Sequence, residues 1–232
     1  MCRCLVPPIA PRREQWPMTA QAGGAIPSSQ ATLVAERNAL RQQLRRTRRA
    51  ISHLESSNVS LTVARLLGRH PLIKPGARIG VYLALPGELS LQPFIELAWQ
   101  RGCQLFVPHI THTRRRQMKF YPLQRGSRLQ THRWGMPQLH AAARHQACPA
   151  DRLDVVLVPL VGFDAHGNRL GMGAGFYDRH FARLSRARYW HRPHLLGVAY
   201  ACQEIPTLDT QPHDVRLEQI VTERDIRRAQ TR

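Results

Sequence analysis

Lysine is almost absent from this chain: Lys74 and Lys119 are the only two, although Lys and Arg together number 34. The positive charge is therefore arginine charge, spread along the chain rather than gathered in a tail. A general drift toward arginine would produce it without functional demand. Acidic residues are also scarce, 15 in all, which leaves a formal net charge of +19. Such a balance makes nucleic acid or an anionic small ligand the first partners to weigh. Aromatic residues are only 6% and several fall in strand-like runs, whereas a nucleic-acid module interleaves exposed aromatics with its basic residues. No run of about 18 apolar residues exists, so no membrane-spanning helix is expected. The five cysteines (Cys2, Cys4, Cys103, Cys148, Cys202) show no Cys-x-x-Cys pair, in keeping with reduced thiols in the cytoplasm. Cys2 and Cys4 give only two ligands at a terminus, too few for a metal site.

What is present is core-forming material. Hydrophobic residues make up 43% of 232 residues, enough for one large α/β domain. Residues 1–30 hold Pro7, Pro8, Pro11, Pro17 and Pro27 without periodicity, which reads as a disordered extension ahead of a domain over 31–232. Prolines and Arg12-Arg13 argue against a secretory signal, and Met18 is an equal candidate start. Leu33, Leu40, Leu44, Ile51 and Leu54 recur at helical spacing, with Arg37, Arg41, Arg45 and Arg48 on what reads as a solvated polar side. A second helix is expected over 59–68. Strands are expected at 78–85, 103–108, 118–123, 153–160, 195–200 and 219–222, and helices over 91–100 and 176–185. Strands alternating with helices predict an open, mostly parallel sheet flanked by helices, in a single domain.

The segment after the 153–160 strand carries the chemistry. Gly171, Gly173 and Gly175 precede a helix, at the strand end where open α/β folds bind ligands. Glycines there let backbone approach a ligand and turn through positive φ, and the N–H groups at the helix start suit phosphate. The loop lacks the lysine of a Walker A motif, and Phe176 stands where the dinucleotide fingerprint needs its third glycine. Physics alone leaves a phosphate-binding turn and an ordinary tight connection both open. Arg169 can neutralise phosphate, and Asp178 can either hold magnesium or satisfy a helix dipole.

The run Phe163-Asp164-x-His166-Gly167-Asn168-Arg169-Leu170-Gly171-x-Gly173-x-Gly175-Phe176-Tyr177-Asp178 resembles the signature of the 5-formyltetrahydrofolate cyclo-ligase family. Tyr82-Leu83 with Gly87-Glu88, Arg133-Trp134-Gly135-Met136-Pro137, and Pro212-His213-Asp214-Val215 resemble its other segments, so the likeness covers about residues 34–225. The resemblance implies a NagB/RpiA/CoA transferase-like fold, and an enzyme that uses ATP and Mg2+ to turn 5-formyltetrahydrofolate into 5,10-methenyltetrahydrofolate, ADP and phosphate. Carried over residue by residue, it implies ATP contacts from Arg37, Arg41 and the loop Arg169, Leu170, Gly171, Met172, Gly173, Ala174, Gly175, Phe176 and Tyr177. Folate contacts would come from Arg41, Leu83, Glu88, Met172, Gly173, Gly175 and Phe176, and the magnesium carboxylates would be Asp178 and Asp214. A cytoplasmic monomer, with folate and ATP as partners and neither membrane nor nucleic acid, completes the expectation.

The chain departs from the family's pattern at Arg37, where lysine is frequent, at Ala174, where glycine is, and at Met172 and Phe176, which replace tyrosine or basic residues. The alternative is a basic nucleic-acid-binding protein on the same scaffold, for which the pair Asp178 and Asp214 beside a glycine loop would have no use. Arg114-Arg115-Arg116 reads as a surface loop. His109/His112 and His191/His194 read as surface pairs rather than zinc ligands.

Overall fold

The computed structural model describes residues 28–113, 117–131, 137–140, 146–185 and 193–230. Expectations for residues 1–27, for the arginine run 114–116, for 133–136 of the middle segment and for His191 lie outside them. Buried β-branched and leucine runs form the centre of a seven-stranded sheet. Its strands are β1 (Arg78–Gly80), β2 (Gln104–His112), β3 (Gln117–Leu123), β6 (Val155–Pro159), β9 (His194–Val198), β10 (Gln219–Val221) and β11 (Ile226–Arg228). They lie in the order β11-β10-β9-β6-β1-β2-β3. The inner pairings are parallel, and β3 and β11 close the two edges antiparallel. Two small hairpins stand apart, β4 (Leu129–Thr131) with β5 (Pro137–Leu139) and β7 (Gly162–Phe163) with β8 (Arg169–Leu170).

Alternation along β6 sorts the core. Val155 and Leu157 join one cluster with Val63, Leu67, Phe94 and Ala98, from α2 (His53–Gly68) and α3 (Gln92–Gln100). Val156 and Val158 join the opposite cluster with Phe120, Leu195 and Phe181, the last from α4 (Phe176–Ser185). A buried parallel sheet needs both faces covered, and these helices cover them. The first connection from β1 leads to β2 on one side, and later ones return to β6 on the other. The strand order therefore reverses at β1 and β6, the switch point where ligands bind in open α/β sheets.

Several boundaries differ from the sequence expectation. The first helix, α1 (Ser28–Arg49), stops short of Ile51, and α2 begins at His53 rather than near residue 59. Ser52 caps it, its hydroxyl accepting the Glu55 N–H at 3.2 Å, which satisfies a donor left over at the helix start. Leu54, placed by periodicity on the apolar face of the first helix, is 72% exposed on α2. The strand expected over 78–85 pairs only to Gly80, and its continuation runs as loop beyond the carboxyl end of β1. β2 runs on to His112, with a bulge near Thr111. His109, expected on the surface, is buried edge-on against Tyr121 with ring centres 5.6 Å apart.

Candidate active site

The face of α1 read as solvated is the face that packs. Arg37, Leu44 and Arg48 are buried, at steps of seven and four that place them on one side of a helix. Leu44 packs with Val161, Leu170 and Leu208 in a small cluster over the β7–β8 hairpin. This lays α1 beside the glycine loop, with Arg41 and Arg45 reaching its backbone. Arg41 Nε donates to the Gly171 carbonyl at 2.9 Å, and Arg45 Nη2 donates to the Met172 carbonyl at 3.1 Å. Arg37 Nη2 pairs with Asp214 Oδ2 at 3.0 Å and its Nη1 donates to the Asp209 carbonyl.

The loop is shaped by its neighbours. Gly173 (φ 104°) and Gly175 (φ 65°) occupy the left-handed region that side chains avoid. Gly171 does not, contrary to expectation. Glycine matters there because an added Cβ would stand 3.1 Å from Arg169 Nη1. Arg169 is 4% exposed, and its Nη2 pairs with Asp178 Oδ1 at 2.6 Å. Its guanidinium also lies 5.8 Å from the Tyr177 ring centre. Asp178 Oδ1 accepts the Val215 N–H as well, at 3.2 Å, which ties the start of α4 to the 214–215 segment.

A cleft of about 990 Å³, part of it open to solvent, lies at the strand ends beside this loop. Leu83 and Glu88 line it from the segment after β1. Arg169, Gly171, Met172, Ala174, Gly175, Phe176, Tyr177 and Asp178 line it from the other side. Arg37, Arg41, Gly173 and Asp214 do not line it and stand beside it. Leu170 is 0% exposed and its carbonyl accepts the Val161 N–H, so this residue serves the core. Val107, Pro108, Ile110 and Met118 add an apolar wall, with Gln138 nearby. Sequence reading missed these residues, although the rule that ligands sit at carboxyl ends of strands points to the end of β2.

Charge in the site is lopsided. Burial pushes the Arg41 guanidinium down to about 10, and the charges of Arg37 and Arg45 push the same way against Asp214 and Asp178. Arg41 stays protonated at neutral pH, in a cluster of cations that an added anion would relieve. Burial raises the Glu88 carboxyl, opposed by the Leu85 N–H it accepts at 2.9 Å and by Arg48 and Arg45. Burial, aided by the Glu88 charge, also holds the Tyr82 and Tyr177 phenols protonated, and Tyr82 donates to the Leu89 carbonyl at 2.8 Å.

Asp178 and Asp214 both bear on Arg41. Each uses one oxygen for its protein partners and leaves the other without one among the described residues. Two such carboxylates fit a magnesium ion that takes its remaining ligands from phosphate and water. Among the described residues no group of three or more His, Cys, Asp and Glu could hold a metal by itself.

Residues 34–223 match the family model described as the 5-formyltetrahydrofolate cyclo-ligase family. The chain is 31% identical to the 5-formyltetrahydrofolate cyclo-ligase of Escherichia coli K12 over 179 residues, 77% of this chain and 96% of the relative. It is 25% identical to the mouse cyclo-ligase over 199 residues, 83% of this chain and 96% of that one. Its fold is similar to the solution structure of 5,10-methenyltetrahydrofolate synthetase from Aquifex aeolicus, at a TM-score of 0.69 and 25% identity over 84% of this chain and 94% of the other. The synthetase from Mycoplasma pneumoniae superposes at 0.62 with 26% identity, covering 81% and 99% of the two chains.

Proposed function

The chain belongs to the 5-formyltetrahydrofolate cyclo-ligase family, and we propose that the cleft beside α1 is where it converts 5-formyltetrahydrofolate to 5,10-methenyltetrahydrofolate at the expense of ATP. The observation that carries this reading is the convergence of Arg37, Arg41 and Arg169 with Asp178 and Asp214 around a left-handed glycine turn.

The uncatalysed obstacle is the formyl oxygen, which is a poor leaving group. Its attack on the γ-phosphoryl group releases ADP and places phosphate on that oxygen. N10 then adds to the formyl carbon and gives up its proton to solvent, the ring closes, and phosphate departs with the oxygen. No covalent enzyme nucleophile is required. The protein's part is to position the reactants and neutralise charge. Backbone N–H groups from Gly171 to Tyr177 cradle the phosphates, with Arg41 close to the Gly173 turn. Magnesium, when bound, neutralises the phosphate oxygens, and Asp178 and Asp214 would hold it through their unshared oxygens. Arg37 and Arg169 orient those carboxylates. The apolar wall of Val107, Ile110 and Met118 excludes water from the folate, and Glu88 accepts hydrogen bonds from its pterin. One charge-assisted bond of this kind contributes about 1.5–3 kcal/mol. We place the enzyme in the cytoplasm as a monomer, and no helix of the described residues is long and apolar enough to cross a membrane.

The experiment is near-UV absorbance of the protein with 5-formyltetrahydrofolate and ATP, with and without magnesium. The methenyl chromophore should appear only when both ATP and magnesium are present. Asp178→Asn should lower that rate about hundredfold. Wild-type kinetics in this variant would remove Asp178 from the metal site. A folded protein that makes no product and retains RNA in a salt-dependent manner would favour the nucleic-acid alternative.

A further inference from the structure

α1 carries a fourth inward arginine, Arg48, that holds neither Asp214 nor the glycine loop. It is 6% exposed. Its guanidinium makes no hydrogen bond or ion pair among the described residues, and its Nε is shut off from solvent without a partner. A buried N–H left without a partner is costly, and an apolar side chain of similar volume would fill the space without that cost. Packing is therefore a poor reason for an arginine here.

Arg48 lies against the turn that follows β1. A Cβ placed on Gly87 would stand 3.9 Å from its Nε. The next residue, Glu88, lines the cleft. Its Oε2 accepts the Leu85 N–H at 2.9 Å, and its Oε1 has no protein partner among the described residues. The groups that bear on Glu88 are Arg48 and Arg45 from α1, Tyr82 from the segment after β1, and Tyr177 from α4. Both phenols are protonated and neutral, so the opposing charge comes from the two arginines. Arg45 is committed to the Met172 carbonyl. Arg48 is committed to nothing else.

We propose that Arg48 is a positioning residue for Glu88: across the Gly87 turn it keeps that carboxylate ionised within an apolar cleft, ready to accept hydrogen bonds from the folate. The inference rests on Glu88 being a folate contact, and its test separates the two claims. The full-length enzyme and its variants Arg48→Met, Arg48→Lys, Glu88→Gln and the Arg48→Met/Glu88→Gln double variant are compared. The readouts are melting temperature and the pH profile of kcat/KM for 5-formyltetrahydrofolate at saturating ATP and magnesium, from about pH 5 to 8.

Arg48→Met should fold with an unchanged or higher melting temperature. Near pH 6 its KM for the folate should rise roughly tenfold, and the deficit should close toward about pH 8, because the acid limb moves to higher pH. Arg48→Lys should restore the wild-type limb, and Arg48→Met should add nothing once Glu88→Gln is present. An Arg48→Met profile matching wild type, or an equal loss in both backgrounds, overturns the positioning role. If Glu88→Gln raises KM while Arg48→Met does not, that role alone falls. If Glu88→Gln leaves the folate KM unchanged, the folate contact fails and the inference falls with it.

Discussion

Asp164, fully buried, accepts four hydrogen bonds on its two oxygens. Oδ1 takes the N–H groups of His166 and Asn168, and Oδ2 takes Asn168 Nδ2 and the Leu208 N–H. The front half of the sequence signature is therefore turn-building chemistry. Gly167 completes it at φ 78°, where an added Cβ would stand 2.4 Å from the Leu217 carbonyl oxygen. Asp164→Ala strands those donors, so denaturant melts should show a loss of at least about 3 kcal/mol, with little change in KM for ATP in whatever remains folded. A stable variant with a raised KM would make Asp164 a ligand contact instead. Glu88 has the opposite relation to stability. Its folded carboxyl is raised above the ordinary value by burial, so the native state holds that proton more tightly than the unfolded chain. The contribution is present below the ordinary carboxyl range and is lost as pH rises through the folded value. Glu88→Gln should accordingly melt higher than wild type near neutral pH and lose that advantage in acid. Equal melting temperatures at both ends would mean that Glu88 is not desolvated.

Among the helices, α1 organises much of the site while Leu44 is its one buried apolar side chain among the described residues. Three of its arginines hold three different pieces of the site: Arg37 the 209–214 segment, Arg41 the Gly171 carbonyl and Arg45 the Met172 carbonyl. A helix so basic is a weak core element, and the cluster around Leu44 anchors it. The next element, α2, depends on its cap. Ser52→Ala removes the bond to the Glu55 N–H and should cost about 1 kcal/mol, read as a small fall in melting temperature with turnover intact. A fall in turnover at constant stability would tie the α1–α2 corner to the cleft.

Over the whole molecule, the cleft is assembled from parts distant in the chain. The segment after β1, the end of β2, the glycine loop and the start of α4 all line it. A ligand bound there would join both halves of the sheet and should stabilise the fold globally. At about one hundred times the dissociation constant, a ligand adds about 2.7 kcal/mol. For a chain of this size that corresponds to a rise of roughly 5–10 °C in melting temperature. 5-Formyltetrahydrofolate, and separately a non-hydrolysable ATP analogue with magnesium, should each produce such a shift. A shift with neither would remove the cleft from consideration as the binding site.

The order of strands and helices was legible in the sequence because buried strands are continuous apolar runs and helices repeat near 3.6 residues, both local signals. The 176–185 helix and the 118–123 strand lie where the pattern puts them, within a residue. The glycine loop, Asp178 and Glu88 were legible through their motifs. Other features were decided only by tertiary packing. Arg37, Arg41, Arg45 and Arg48 make a polar stripe that reads as solvated, because hydrophobic periodicity cannot tell an outward charge from an inward one. Burial of that stripe follows from the anchoring of Leu44 over the β7–β8 hairpin, a contact about 120 residues apart in sequence. The pairing of Arg37 with Asp214 and of Arg169 with Asp178, and the apolar wall at the end of β2, likewise exist only once the sheet has brought its strand ends together.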